Sequence, residues 1–205
     1  MTIEQIGAFM AVSFLLLITP GPSVLYIMSR SLSGGYQGAI KSVLGLACGD
    51  ILQVFAVALG IAVFIDLFPA TFDILKWLGA FYLFYLAYQS LPKAQIEDKT
   101  SIETNSSKRY FLEALIVNAL NPKTTLFFVS FLPAFLLPSQ MPFIAQIITL
   151  GMVFVIIGIG TNGFYGAVCV LTGMRFQFVH SPYVQNWLPA ATLSALGLGI
   201  LIFRL

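Results

Sequence analysis

Long apolar runs recur six times along the chain, at 6–28, 39–65, 72–91, 111–136, 143–171 and 187–203. An α-helix rises 1.5 Å per residue, so roughly 20 apolar residues cross the hydrocarbon core of a bilayer. The pattern therefore predicts six transmembrane helices. Between them, Ser31-Leu32-Ser33-Gly34-Gly35 reads as a glycine turn, 66–73 as a short polar link with Pro69, and 137–142 as a link with two prolines. Only 92–110 stays hydrophilic over a long stretch, and its Ser, Thr, Asn and mixed charges read as a flexible cytoplasmic linker. It divides one membrane domain, 1–205, into a three-helix repeat at 1–91 and another at 111–205. Three is odd, so two tandem copies enter the membrane with opposite orientations. The predicted fold class is an all-α integral membrane protein built from two inverted three-helix repeats.

Two of the six runs are interrupted where an uninterrupted helix is expected. Thr19-Pro20-Gly21-Pro22-Ser23 lies inside the first, and Asn121-Pro122-Lys123-Thr124 inside the fourth. Proline removes a backbone donor and clashes with the preceding turn, so both motifs break an α-helix. The backbone groups released in this way cannot face lipid; they must be buried in protein or line a wet cavity. Superposing Pro20 on Pro122 aligns Ile18-Thr19-Pro20 with Leu120-Asn121-Pro122. Each half thus opens with a broken span, the pattern that marks a transporter's binding site at a repeat interface.

Composition agrees with a membrane protein and narrows the partners. The chain is 59% hydrophobic and only 9% charged, with a mean hydropathy of +0.93, whereas about 25% charged residues is usual for a soluble domain. A net charge of +2, without a basic run interleaved with aromatics, gives no reason to expect nucleic acid. Glu4 and the lack of any Lys or Arg before the first run argue for a retained span rather than a cleaved leader. Arg30, Lys41, Lys93, Lys99, Lys108, Arg109 and Arg175 fall on one side of the expected membrane, and only Lys76 and Arg204 on the other. That asymmetry places the long linker in the cytoplasm and both termini outside; the N-terminus moves inside if the first span is not a full crossing. Trp77 and Trp187 sit at span ends, as interfacial aromatics do.

Candidate chemistry is concentrated in a few polar residues within the apolar runs. Asp50 lies near the middle of the second, and an acid there costs on the order of 2.5–3.5 kcal/mol to insert. Such a group either binds and exchanges protons or hydrogen-bonds a neighbouring helix while protonated. Gly45 and Gly49, four residues apart, let another backbone approach that face. Lys123 follows the second break and has three readings: pairing with Asp50, pairing with a substrate carboxylate, or reaching to an interface. The half-helices that start at Pro22 and Pro122 present positive N-terminal ends to an anion. Together these parts describe a zwitterion trap, with Asp50 for an ammonium group and Lys123 and the half-helix amides for a carboxylate. Thr19, Asn118 and Asn121 add neutral hydrogen bonds, and Asn162, among glycines of the fifth run, is the second half's non-titrating counterpart to the Asp50 region.

The remaining candidates read more plainly. Cys48 and Cys169 read as small core residues, His180 as a solvated loop residue, Tyr82, Tyr85 and Tyr88 as a packing or interfacial stripe, and Glu113 as an interfacial carboxylate. No cofactor motif and no cluster of metal ligands stands out.

With these residues in view, the chain resembles the LysE/RhtB family of bacterial amino-acid exporters. The resemblance is carried by Thr19-Pro20-Gly21-Pro22, by Gly34-Gly35 with Gly38, Gly45 and Gly49-Asp50, and by Lys76-Trp77-Leu78-Gly79-Ala80. It continues through Asn118, Asn121-Pro122-Lys123 and Phe131-Leu132-Pro133. It implies six spans in the bacterial inner membrane and proton-driven export of amino acids or close derivatives. The residues it implies for the site are Pro20, Gly21, Pro22, Asp50, Asn121, Pro122 and Lys123. The expected function is a secondary transporter exporting amino acids, neutral ones favoured because only one acid lies deep in the runs, by proton antiport at Asp50. Export of a metal ion or another small solute is the alternative, with a channel or an intramembrane enzyme behind it: the motifs of such enzymes are missing. Small-residue faces on the second and sixth runs, including Ser194-Ala195-Leu196-Gly197, would allow a homodimer.

Overall fold

A computed structural model describes residues 2–67, 107–136 and 141–173, with isolated positions between 77 and 88 and between 187 and 198. Most of the third and sixth expected spans, the linker before 107, Tyr82 and His180 lie outside the described residues. Every element among the described residues is helical.

Helix α1 (Ile3–Ile18) starts at a capping box, in which the Gln5 amide donates to Thr2 Oγ1 and the Thr2 amide to Gln5 Oε1. This arrangement satisfies two of the donors that a helix start leaves without partners. The chain then leaves the helix at Thr19 and resumes at Pro22, where α2 (Pro22–Leu67) begins. Inside α2, Gly35 adopts φ 56°, ψ −145°, a conformation that costs glycine little and other residues much. Ile27, before it, and Leu46, after it, belong to one packed cluster with Ala114. The two halves of α2 therefore form a helical hairpin. Gly38 is part of the same turn, since a Cβ there would run into the carbonyl of Arg30.

Helix α3 (Ser107–Ala119) is followed after a two-residue break by α4 (Pro122–Ser130) and a short 3-10 turn (Leu132–Phe135). The axes before and after the break differ by 45°. Helix α3 begins four residues before the apolar run that predicts it, because its first turn carries Lys108 and Arg109. Helix α5 (Phe143–Thr172) is continuous and ends at Gly173, whose left-handed backbone (φ 60°) lets its amide donate to the Cys169 carbonyl. Phe143–Thr172 is long and apolar enough to cross a membrane; Pro22–Gly60 is so by length and composition, although it turns back at Gly35, and Arg109–Phe135 makes a third if the bent pair is one span.

Glycines set the helix contacts. Gly45 and Gly49 lie against the backbone of α3 at Phe111, Leu115 and Ala119. The small-residue face of the second expected span is thus filled within the chain and is not open to a second copy. Gly151 and Gly158 of α5 give room to Val54 and to Asp50 with Leu17. At one end of the bundle Phe9, Phe127, Phe131 and Phe135 stack on one another, and Phe154 joins them from α5. Cys48 and Cys169 are both free thiols, and Cys169 is buried.

Candidate functional site

The two breaks meet, and the carbonyls that lose their helical donors there explain much of the geometry. In a continuous helix each carbonyl accepts from the amide four residues on, which for Leu16, Ile18 and Asn118 falls on Pro20, Pro22 and Pro122. None of these prolines has an N–H. The Thr19 and Asn121 amides reach the carbonyls of Leu16 and Asn118, and side chains from other elements supply the rest. Lys123 Nζ of α4 donates to Leu16 O at 2.7 Å, Tyr165 Oη of α5 donates to Ile18 O at 2.7 Å, and Gln53 Nε2 of α2 donates to Asn118 O at 2.5 Å. Lys123 donates a second bond to Thr19 O at 2.7 Å, and Gln53 a second to Ala119 O at 3.2 Å. Irregular backbone survives at membrane depth only with such partners.

Of the three expected readings of Lys123, the pairing with Asp50 and the reach to an interface are not what the structure shows. Its ammonium is fixed on the frayed end of α1, where carbonyls concentrate negative partial charge, and it makes no ion pair with Asp50. Its own amide donates to Asn121 Oδ1 at 3.0 Å, which makes Asn121 the N-cap of α4.

A hydrogen-bonded chain joins one break to the other. Asn121 Nδ2 donates to Ser23 Oγ at 2.9 Å, Ser23 Oγ donates to Asn118 Oδ1 at 2.8 Å, and Asn118 Nδ2 donates to Leu46 O at 2.6 Å. Behind the chain stands Asp50, 2% exposed, with the Asn118 amide beside its carboxyl group. Its Oδ1 has no hydrogen-bond partner. A buried carboxyl oxygen left unpaired is uncommon and calls for a ligand or a proton.

These groups enclose a cavity of about 20 Å³, lined by Thr19, Gly21, Asp50, Asn118, Asn121 and Lys123 together with Leu16, Leu17, Ser23, Val24, Thr124 and Asn162. Pro20, Pro22 and Pro122 shape its walls without lining it. A cavity needs roughly 10–15 Å³ to hold one water, so this one accommodates a single water and nothing the size of an amino acid. Thr19 turns its hydroxyl back to Leu15 O at 2.7 Å. Sequence reasoning missed Ser23, Gln53 and Tyr165. Ser23 directly follows the first motif, and Gln53 is a polar residue one turn from Asp50, so both left a signal; nothing in its neighbourhood marks Tyr165.

Glu113 has a larger part than an interfacial carboxylate. Its Oε2 accepts from Arg30 at 2.8 Å and from Tyr26 Oη at 3.1 Å, and its Oε1 accepts from Arg109 at 2.7 Å. The Arg30 guanidinium lies over the rings of Tyr26 and Tyr110. This knot ties the first half of α2 to α3.

Two discontinuous helices meet at a polar cavity inside an apolar helical bundle, an arrangement found in membrane transporters. The chain belongs to the LysE type translocator family, whose pattern it matches over residues 14–203; it is a transporter and not an enzyme. Among its relatives are proteins of Salmonella typhimurium and Salmonella typhi, each named homoserine/homoserine lactone efflux protein. Each is 35% identical to this chain over 158 residues, which cover 77% of this chain and 76% of the relative. No solved structure matches the chain significantly.

Proposed function

We propose that this protein exports a neutral amino acid, or a close derivative that keeps the amino group, from the bacterial cytoplasm across the inner membrane in exchange for protons. The observation that carries the reading is the cavity between the two helix breaks with a buried carboxyl group in its wall, Asp50, whose Oδ1 has no hydrogen-bond partner. A substrate ammonium group pairs with Asp50. The substrate's carboxylate or carbonyl faces the first-turn amides at Ser23, Val24 and Thr124, where two half-helices present their positive ends. Lys123 spends two of its donors on backbone carbonyls, and Asp50 is the one carboxyl group among the lining residues described, which suits a substrate with one ammonium group.

Proton and ammonium compete for Asp50, so the carrier returns across the membrane only with one of them bound. Each charge moved contributes about 2.3 kcal/mol per 100 mV, enough for a gradient of tens-fold. The closing of both breaks supports the inverted-repeat reading. Thr19 N donates to Leu16 O in the first and Asn121 N to Asn118 O in the second, at positions that superpose when Pro20 is laid on Pro122. The names of the Salmonella relatives support an amino-acid-type substrate.

The test is efflux of labelled amino acids from proteoliposomes, with an imposed proton gradient and with that gradient collapsed. The native protein loses a neutral amino acid only with the gradient. Asp50→Asn lowers gradient-driven efflux by at least about tenfold. Full proton dependence retained in Asp50→Asn removes Asp50 from the coupling.

A further inference from the structure

We infer that Asn162 reads the uncharged polar end of the substrate's side chain and so sets which amino acid the carrier accepts; the inference rests on the exporter reading above. Asn162 is 5% exposed and lines the same cavity as Asp50. Of the side-chain amides and charged groups in that lining, Asn118, Asn121 and Lys123 are committed to the bonds described above. Among the described residues, Asn162 has no side-chain hydrogen-bond partner. Its amide atoms are not among the fully enclosed unpartnered ones, so an amide in the cavity lining with no protein partner is available to a ligand there.

Its position relative to Asp50 follows from α5. A Cβ on Gly158 would stand 3.4 Å from Asp50 Oδ2 and 3.8 Å from Leu17, which fixes Gly158 at the level of the carboxyl group. Asn162 is four residues further on the same helix face, a rise of about 6 Å. An amino acid whose ammonium group rests on Asp50 covers roughly 5 Å from that nitrogen through Cα, Cβ and Cγ to an atom on Cγ. A hydroxyl or carbonyl oxygen there meets the Asn162 amide, which can donate and accept. An ammonium group at the same place finds no second carboxylate, and a methyl group leaves the amide unpaired. Sites built on such hydrogen bonds discriminate strongly against analogues that lack the partner.

Three probes of equal reach separate these cases: homoserine with a hydroxyl on Cγ, norvaline with a methyl, and 2,4-diaminobutyrate with an ammonium group. Proteoliposomes holding the full chain are loaded with all three, labelled differently, and efflux ratios are read from the same vesicles. The native protein exports homoserine at least about tenfold faster than either analogue. Asn162→Asp shifts the ratio toward 2,4-diaminobutyrate by about tenfold, because a second carboxylate then faces the second ammonium group. Asn162→Leu shifts it toward norvaline. Asn162→Ser, which is small and polar, stands in for either variant that does not elute as a single species in detergent, and lowers the homoserine preference. Ratios unchanged in variants that still transport, or a native protein that exports all three equally, overturn the role of Asn162 and leave the exporter reading intact. A native protein that exports no amino acid under a gradient overturns both.

Discussion

Lys123 shows how much of a residue's role is decided by what it touches. A lysine within an apolar span suggests a carboxylate partner, yet its ammonium group replaces a backbone donor that Pro20 lacks. Lys123→Met removes the two bonds to the carbonyls of Leu16 and Thr19 and lowers stability by about 1 kcal/mol for each. The drop is read as a lower midpoint of thermal unfolding in detergent, and Lys123→Arg restores most of it. Tyr165→Phe loses one bond, to Ile18 O, and falls by about 1 kcal/mol. If Lys123 held the substrate carboxylate instead, Lys123→Met would raise KM and leave the unfolding midpoint in place. The prolines were legible as donors removed, and from that the need for substitute partners follows. Which side chains would serve was not legible, since Gln53, Lys123 and Tyr165 lie far along the chain from the carbonyls they meet and only the packed fold joins them.

At the level of helices, close approach separates glycines that hold the fold from those that shape the cavity. A Cβ on Gly49 would come within 2.9 Å of Leu115 O and Ala119 N, backbone atoms that cannot swing aside. Gly49→Ala therefore destabilises by about 1–3 kcal/mol, as overpacking does. On Gly158 the nearest atom is Asp50 Oδ2 at 3.4 Å, an ordinary contact. Gly158→Ala leaves the unfolding midpoint within about 1 °C of the native value and slows efflux several-fold by crowding the carboxyl group. Equal losses of stability in the two variants would show that both glycines only pack. The four-residue spacing of Gly45 and Gly49 announced a close helix contact, and α3 makes it. Hydropathy located the described spans well but misplaced the start of α3. Hydropathy marks the part of a helix that meets lipid, and a first turn bearing Lys108 and Arg109 is helical without being apolar.

Over the whole molecule, the cavity lies between two kinds of closure. On one side Glu113 gathers Arg30, Arg109 and Tyr26; on the other, phenylalanines from α1, α4, the 3-10 turn and α5 stack together. Both side chains of the Arg30–Glu113 pair are partly shielded, 18% and 26% exposed, so the pair has more effect than a fully solvated one. A double-mutant cycle with Arg30→Gln and Glu113→Gln gives a coupling of about 1 kcal/mol in unfolding free energy, and strict additivity would show that the contact contributes nothing. At this scale the paired breaks and the acid between them were legible from the sequence. The knot at Glu113 was not, because its members are neighbours only once α2 turns back at Gly35.

The size of the cavity bears on how affinity is measured. A chamber with room for one water binds an amino acid only in the fraction of molecules that have opened, and the apparent dissociation constant is the intrinsic one divided by that fraction. Equilibrium titrations of this protein thus report contact strength and ease of opening as a single number. A substitution far from Asp50 that loosens either closure tightens apparent binding without adding any contact to the ligand.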